Sequence, residues 1–175
     1  MSSLEISQLG NPVLRAQAAA LTSVQIELST PFLESLKQIM RKYQGVGIAA
    51  PQVGQSIRAF IVASRPNERY PHAPLMEPTV MLNPELLWQS DEMEKDWEGC
   101  LSIPGIRAKV SRHKRIQVRY QTESGKVIET EFDGFIARIF QHELDHLNGI
   151  VFLDRADNLD VVTESEYQKL IGISQ

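Results

Sequence analysis

The chain has 175 residues, 42% hydrophobic and 23% charged, with a formal net charge of −4, an ordinary globular balance that excludes a disordered or fibrous chain and predicts one domain over residues 1–175. Mild acidity gives no electrostatic grip on nucleic acid, so none is expected to bind directly. No apolar run approaches the about 20 residues of a membrane span, and the opening MSSLEISQLGNPVLR lacks a basic start followed by a long apolar stretch, so a cytoplasmic protein without a membrane partner is expected.

In chain order, Thr30-Pro31 reads as a helix N-cap followed by proline at the first helical position. Phe32, Leu33, Leu36, Ile39, Met40 and Tyr43 then recur at helical spacing, with Gly45 as the stop, which predicts a helix over residues 30–44. RAFIVAS (58–64) and TVMLNPEL (79–86) read as strands, the second ending at a proline, and RPNERYPHAPLMEP between them as a long surface loop. SRHKR (111–115) reads as a solvated strand edge. RIQVRYQT (115–122) and KVIETEF (126–132) alternate as strands of a hairpin turned by Glu123-Ser124-Gly125. DGFIARIFQHELDHLNG then switches period: Asp133 can cap and Gly149 can end a helix of about fourteen residues. Thr163 and Glu166 form a capping box ahead of a last helix. Strands gathered between helices make an α+β pattern.

The helix after Asp133 carries the chemistry. Residues four apart lie on one helical face about 6 Å apart along the axis, so His142 and His146 can share one metal ion. Phe135 and Ile139 share that face, which places the histidines on an apolar, inward stripe. The plainer alternative is two histidines that happen to share a spacing. Glu143 weighs against it, because in HExxH this glutamate is the general base for a water at the ion. A third ligand is required. Glu164 and Glu166 are conceivable donors but fall in the first turn of the last helix, where acids favour the helix dipole. His72, in the proline-rich loop, and His113, among basic residues, read as surface histidines. Cys100 is the single cysteine and lies in WEGCLSIPG (97–105), a sharply turned segment. It is either a buried small hydrophobe or a thiolate completing a Cys-His-His set with one position left for solvent, the arrangement of a catalytic site.

Three segments, GVGIAAPQVG (45–54), EGCLSIPG (98–105) and QHELDHLNG (141–149), in that order resemble the signature motifs of the peptide deformylases, which remove the formyl group from the initiator methionine of new polypeptides. The similarity runs from LEISQLGNPVLR to about Asp154. The resemblance implies antiparallel β-sheets packed around a central HExxH-bearing helix, with helices toward both ends. It implies Cys100, His142 and His146 as metal ligands, Glu143 as general acid/base, and the Gln52 side-chain amide and Leu101 backbone N–H as oxyanion donors. The substrate main chain would run beside Gly45, Val46, Gly47 and Gly99. Val46, Phe135 and Ile139 are candidate walls for the methionine side chain, although each can equally be ordinary core. Gly45 and Gly47 permit a positive φ or a close backbone approach.

Three neighbours receive secondary roles. Arg138 is expected at the rim of the slot with its head in water, Arg107 as a partner of an acidic neighbour such as Glu98 or as an exposed strand residue, and Asp145 as structural. One divalent ion is implied, Fe²⁺ physiologically, with Zn²⁺, Ni²⁺ or Co²⁺ able to replace it because a thiolate and two imidazoles suit all four. The implied partners are formylmethionyl peptides and nascent chains. From Asp154 onward five acids face two bases, which predicts no strong ribosome binding through this tail. The rival readings are a zinc endopeptidase, which shares HExxH but not the upstream cysteine, and a non-enzymatic module of the same fold, which would be expected to have lost a ligand, Glu143 or Gln52.

Overall fold

The computed structural model describes residues 4–68 and 70–173. Helix α1 (Ser23–Leu28) begins at a reciprocal capping box, Thr22 with Gln25, and buries only Ile26. Its six residues carry too little apolar periodicity to be read from sequence. Helix α2 (Thr30–Lys42) buries Leu33, Leu36, Ile39 and Met40 along one stripe. Its N-cap is Ser29 rather than Thr30, and it ends before Gly45. Gln44 takes the left-handed turn at φ 53, and the N–H groups of Gln44 and Gly45 return to the carbonyls of Arg41 and Met40.

Strands β1 (Gly47–Ala49), β2 (Ala59–Ser64), β3 (Met76–Gln89), β6 (Arg115–Gln121) and β7 (Val127–Asp133) form an antiparallel sheet in the order β1-β2-β3-β6-β7. Strand β2 is buried along its length, as its unbroken apolar run requires. Strand β3 does not stop at Pro84. It bulges there: Asn83, at φ 46, leaves the ladder and binds Leu21 N and O and the Gln121 amide, so the proline needs no donor of its own. The preceding loop is correspondingly shorter than the sequence suggests, since Met76–Pro78 already belong to β3.

Strands β4 (Met93–Cys100), β5 (Ile103–His113) and β8 (Val161–Thr163) form a second antiparallel sheet. WEGCLSIPG is therefore mostly strand, its turn confined to Leu101-Ser102 between the paired Cys100 and Ile103. Helix α3 (Gly134–Leu147) packs against β1, β2 and β7 of the first sheet and β5 of the second. Asp133 is its N-cap by position but makes no side-chain cap bond, and Gly149 at φ 73 closes it. Helix α4 (Glu164–Leu170) starts at Thr163, whose hydroxyl accepts from Glu166 N. The whole is an α+β fold with antiparallel sheets around the HExxH helix. Among the described residues, no helix is long and apolar enough to cross a membrane.

Candidate active site

Two pieces of the fold meet at the centre. Helix α3 turns His142 and His146 inward with ring centroids 5.0 Å apart, and the β4–β5 hairpin presents Cys100 at the end of β4. Cys100 Sγ lies 3.3 Å from His146 Nε2, and the ligand atoms of Cys100, His142 and His146 all fall within 4.8 Å of one another. His142 Nδ1 is 2.7 Å from Glu98 Oε1, which puts the ring proton on Nδ1 and leaves Nε2 to turn to the thiol. The His142 ring also stacks on Phe152. Glu164 and Glu166 take no part in the cluster: Glu164 binds Arg107 and Glu166 binds Lys169.

The electrostatics suit a cation. Burial, helped by the charge on His142, holds His146 well below the usual histidine range, as a ligating imidazole must be. Burial also opposes charge on His142, yet its neighbours Cys100 and Glu98 raise the ring above its ordinary value, the mark of a position that favours positive charge. A divalent ion between thiol and rings would meet that demand with both rings neutral. The donor set thus fits one metal ion with a position left over.

Glu143 is 3% exposed, its Oε2 has no hydrogen-bond partner among the described residues, and burial pushes its carboxyl up to about 7. A buried carboxylate without a partner is costly unless something else uses it. Strand β1 passes so close to it that Gly47 has no room for a side chain: a Cβ there would overlap the Glu143 carboxylate and reach within 2.9 Å of Ile139 Cγ2. Neither Gly45 nor Gly47 takes a positive φ; close approach is what the second one provides. Gly47→Ala is expected to destabilise the fold by about 1–3 kcal/mol through overpacking. Thermal unfolding would show the loss, and formate release would fall with it as Glu143 is displaced.

Gln52 sits in a 3-10 turn (Ala50–Val53) and is 2% exposed. Its Oε1 accepts from Ala49 N at 2.9 Å, which aims the amide nitrogen at Cys100 Sγ, 3.3 Å away, and Ser102 Oγ, 3.2 Å away. Ser102 went unnoticed in the sequence; its only signal there was a small hydroxyl residue at the tip of the turn. Leu101 occupies the same turn and packs on the core beneath α2. Gly99 lies flat against the Arg107 guanidinium, leaving no space for a Cβ. Val46 and Phe135 are half-buried and Ile139 is buried, all three in the cluster between α3 and the first sheet.

Behind the histidines lies a network of buried charges that corrects three expectations and sharpens a fourth. Arg112, in SRHKR, is not on a solvated edge: it is 4% exposed and binds Glu98 with Nε and Nη2 and Asp145 with Nη1. Arg138 is not at a wet rim; its guanidinium donates to Glu98, to Val110 O at 2.7 Å and to Glu94 O at 2.6 Å. Arg107 does pair with an acid, as one of its two readings expected, but the acid is Glu164 and not Glu98, and the guanidinium covers the Tyr167 ring. His113 is half-buried, its Nδ1 2.7 Å from Ser90 O, while His72 is exposed as expected. Asp145 holds Arg112 and Arg155. Burial alone would raise the Glu98 carboxyl, but the hydrogen bond to His142 and the charge of Arg112 outweigh it and hold the group well below the usual carboxylate range.

The family model for polypeptide deformylase matches residues 3–162. Peptide deformylase 2 of Nostoc sp. is 52% identical over 96% of this chain and 94% of its own length, and peptide deformylase 2 of Shewanella oneidensis is 48% identical over 87% and 84%. Among solved structures, a class I type b peptide deformylase from Acinetobacter baumannii with Met-Ala-Ser bound superposes with a TM-score of 0.86 at 46% identity, covering 89% of this chain and 99% of that one. The deformylase of Thermotoga maritima gives 0.79 at 39% identity over 90% and 99%. With the family model covering most of its length and relatives this similar, the chain belongs to the polypeptide deformylases, metal-dependent hydrolases that remove the N-formyl group from nascent polypeptides.

Proposed function

We propose that Cys100, His142 and His146 hold one divalent ion, and that Glu143, Gln52 and Leu101 carry out the deformylation around it. The observation that carries this reading is the meeting of a thiol and two imidazoles beside a buried, unpartnered carboxylate oxygen. When bound, the ion supplies Lewis acidity and lowers the pKa of a water. Glu143 accepts that water's proton as the oxygen adds to the formyl carbon. As negative charge grows on the formyl oxygen, the Gln52 amide and the Leu101 N–H donate to it, the amide giving up one of its present bonds to Cys100 or Ser102. Glu143 then delivers its proton to the departing amine, the C–N bond breaks, and formate leaves. A carboxyl raised by burial is suited to both halves of this transfer.

Gly45, Val46 and Gly47 on one side and Gly99 on the other line the substrate main chain, and Val46, Phe135 and Ile139 receive the methionine side chain. The peptide bound in the Acinetobacter baumannii structure, Met-Ala-Ser, has the composition such a cleft would take. Formylmethionyl nascent chains are the partners, met in the cytoplasm. From Asp154 onward five acids face two bases, and Asp154, Asp160 and Glu164 are paired with Arg15, Lys95 and Arg107, so no strong binding of ribosomal RNA through this tail is expected.

Fe²⁺ is the physiological ion in this reading, replaceable by Zn²⁺, Ni²⁺ or Co²⁺. Protein prepared without oxygen should release formate from formyl-Met-Ala-Ser and contain about one ion per chain, in keeping with a single three-ligand site. Chelation should abolish the activity and a divalent ion should restore it. Activity that survived full removal of metal, or cleavage of unblocked peptides instead, would overturn the assignment.

A further inference from the structure

The ladder that carries Cys100 breaks one residue before it. Glu98 of β4 pairs with Ala108 of β5, but Cys100 pairs with Ile103, so Gly99 on one strand and residues 104–107 on the other fall outside the register. Regular pairing therefore does not fix where the cysteine backbone lies. What bears on Gly99 instead is the guanidinium of Arg107: a Cβ on the glycine would overlap its Nη1, Cζ and Nε.

Arg107 is held in turn by the last segment of the fold. Its backbone pairs with Val162 of β8, which brings Glu164, the first residue of α4, beside it. Glu164 Oε2 accepts from Arg107 Nε at 2.6 Å, and the guanidinium carbon lies 5.2 Å from the centre of the Tyr167 ring, one turn further along α4. Tyr167 also meets Trp97 edge-on, centroids 5.2 Å apart, which ties α4 to β4 two residues before Gly99. Arg107 and Tyr167 are both buried. A planar guanidinium gripped by a carboxylate at Nε and stacked over a ring has little freedom to turn, so its plane stays against the glycine.

We infer that Glu164 is a positioning residue for the metal-binding cysteine, acting through Arg107 and Gly99. The inference rests on the assignment of Cys100 as a ligand. The two histidines are fixed by their own helix, whereas Cys100 comes from a hairpin whose register fails one residue earlier. Glu164 supplies the missing constraint. It keeps the guanidinium against Gly99, and the placed backbone of Gly99 keeps Cys100 Sγ within reach of His142 and His146. An ion pair that merely pinned α4 to the second sheet would change resistance to unfolding and leave the thiolate bond to the ion as it was.

The test loads the protein with Co²⁺, whose thiolate charge-transfer band reports the bond to Cys100, and measures affinity by competition with a chelator. Glu164→Ala should weaken Co²⁺ binding about tenfold, the lower end of the range for residues behind a ligand, and should shift that band. Arg107→Lys leaves Glu164 a charge to pair with but gives Gly99 no flat group to rest on, so it should do the same. That variant keeps the inference testable if the alanine variant fails to fold. Glu166→Ala removes the other acid of the same helical turn, which pairs with Lys169, and should keep the wild-type affinity and band. Unchanged affinity and band in Glu164→Ala or in Arg107→Lys would overturn the inference, as would an equal change in Glu166→Ala. Wild-type protein that bound Co²⁺ without a thiolate band would instead overturn Cys100 as a ligand, and this inference with it.

Discussion

Glu143→Gln is expected to lower kcat for formate release by about 10²–10⁴-fold with metal content unchanged. The amide has nearly the volume of the carboxylate, so the tight space between Gly47 and Ile139 stays filled. What it cannot do is take a proton from water or return one to the amine. The buried oxygen without a partner loses its job, not its place. Kinetics and metal analysis on one preparation separate the possibilities. A glutamine variant keeping a tenth of the wild-type rate would remove Glu143 from the proton path; one that had lost its metal would make it a structural support for the ligands.

Glu98→Ala is expected to be the most destabilising single change in the site. Glu98 is 4% exposed and accepts from Arg112, Arg138 and His142. Deleting it leaves two guanidinium groups buried without their shared counter-charge, and breaking a buried pair in this way costs about 3–5 kcal/mol. The same change frees His142 to rotate and lowers the basicity of its Nε2, so metal affinity should fall about 10- to 100-fold. Glu98→Gln keeps an acceptor for His142 and should retain more of the metal than of the stability. Urea unfolding and metal retention after dialysis read the two effects separately. If Glu98→Ala unfolded at the wild-type urea midpoint, the network would not be holding α3 to the second sheet.

The candidate site residues were legible because each sits in a short local pattern. Two histidines on one helical face, a glycine-flanked cysteine and a helix bounded by Asp133 and Gly149 can all be read within a window of a turn or two. The supporting charges could not be. Arg112 and Arg138 look like solvated residues in their own neighbourhoods, because the carboxylate that admits them to the interior lies 14 and 40 positions upstream. Pairing over such separations leaves no periodic trace. Pro84 misled for the opposite reason: a local rule, that proline ends a strand, was overridden by Asn83 stepping out of the ladder and binding Leu21. Gly45 shows a third case, in which a helix found its left-handed closing residue one position early, at Gln44.

The hairpin bearing Cys100 and the helix bearing the histidines belong to different layers, separated by more than 40 residues of chain. The three donors come within reach of one another only when the hairpin is docked on the helix, so an ion would bind all three at once only in the docked protein, and late loading is the expected course. Selection among iron, zinc, nickel and cobalt would then fall to whichever is exchangeable in the surroundings at that late moment, more than to the order of their affinities. An ion seated there also rivets hairpin to helix, and the molecule's resistance to unfolding would rise and fall with the supply of that ion.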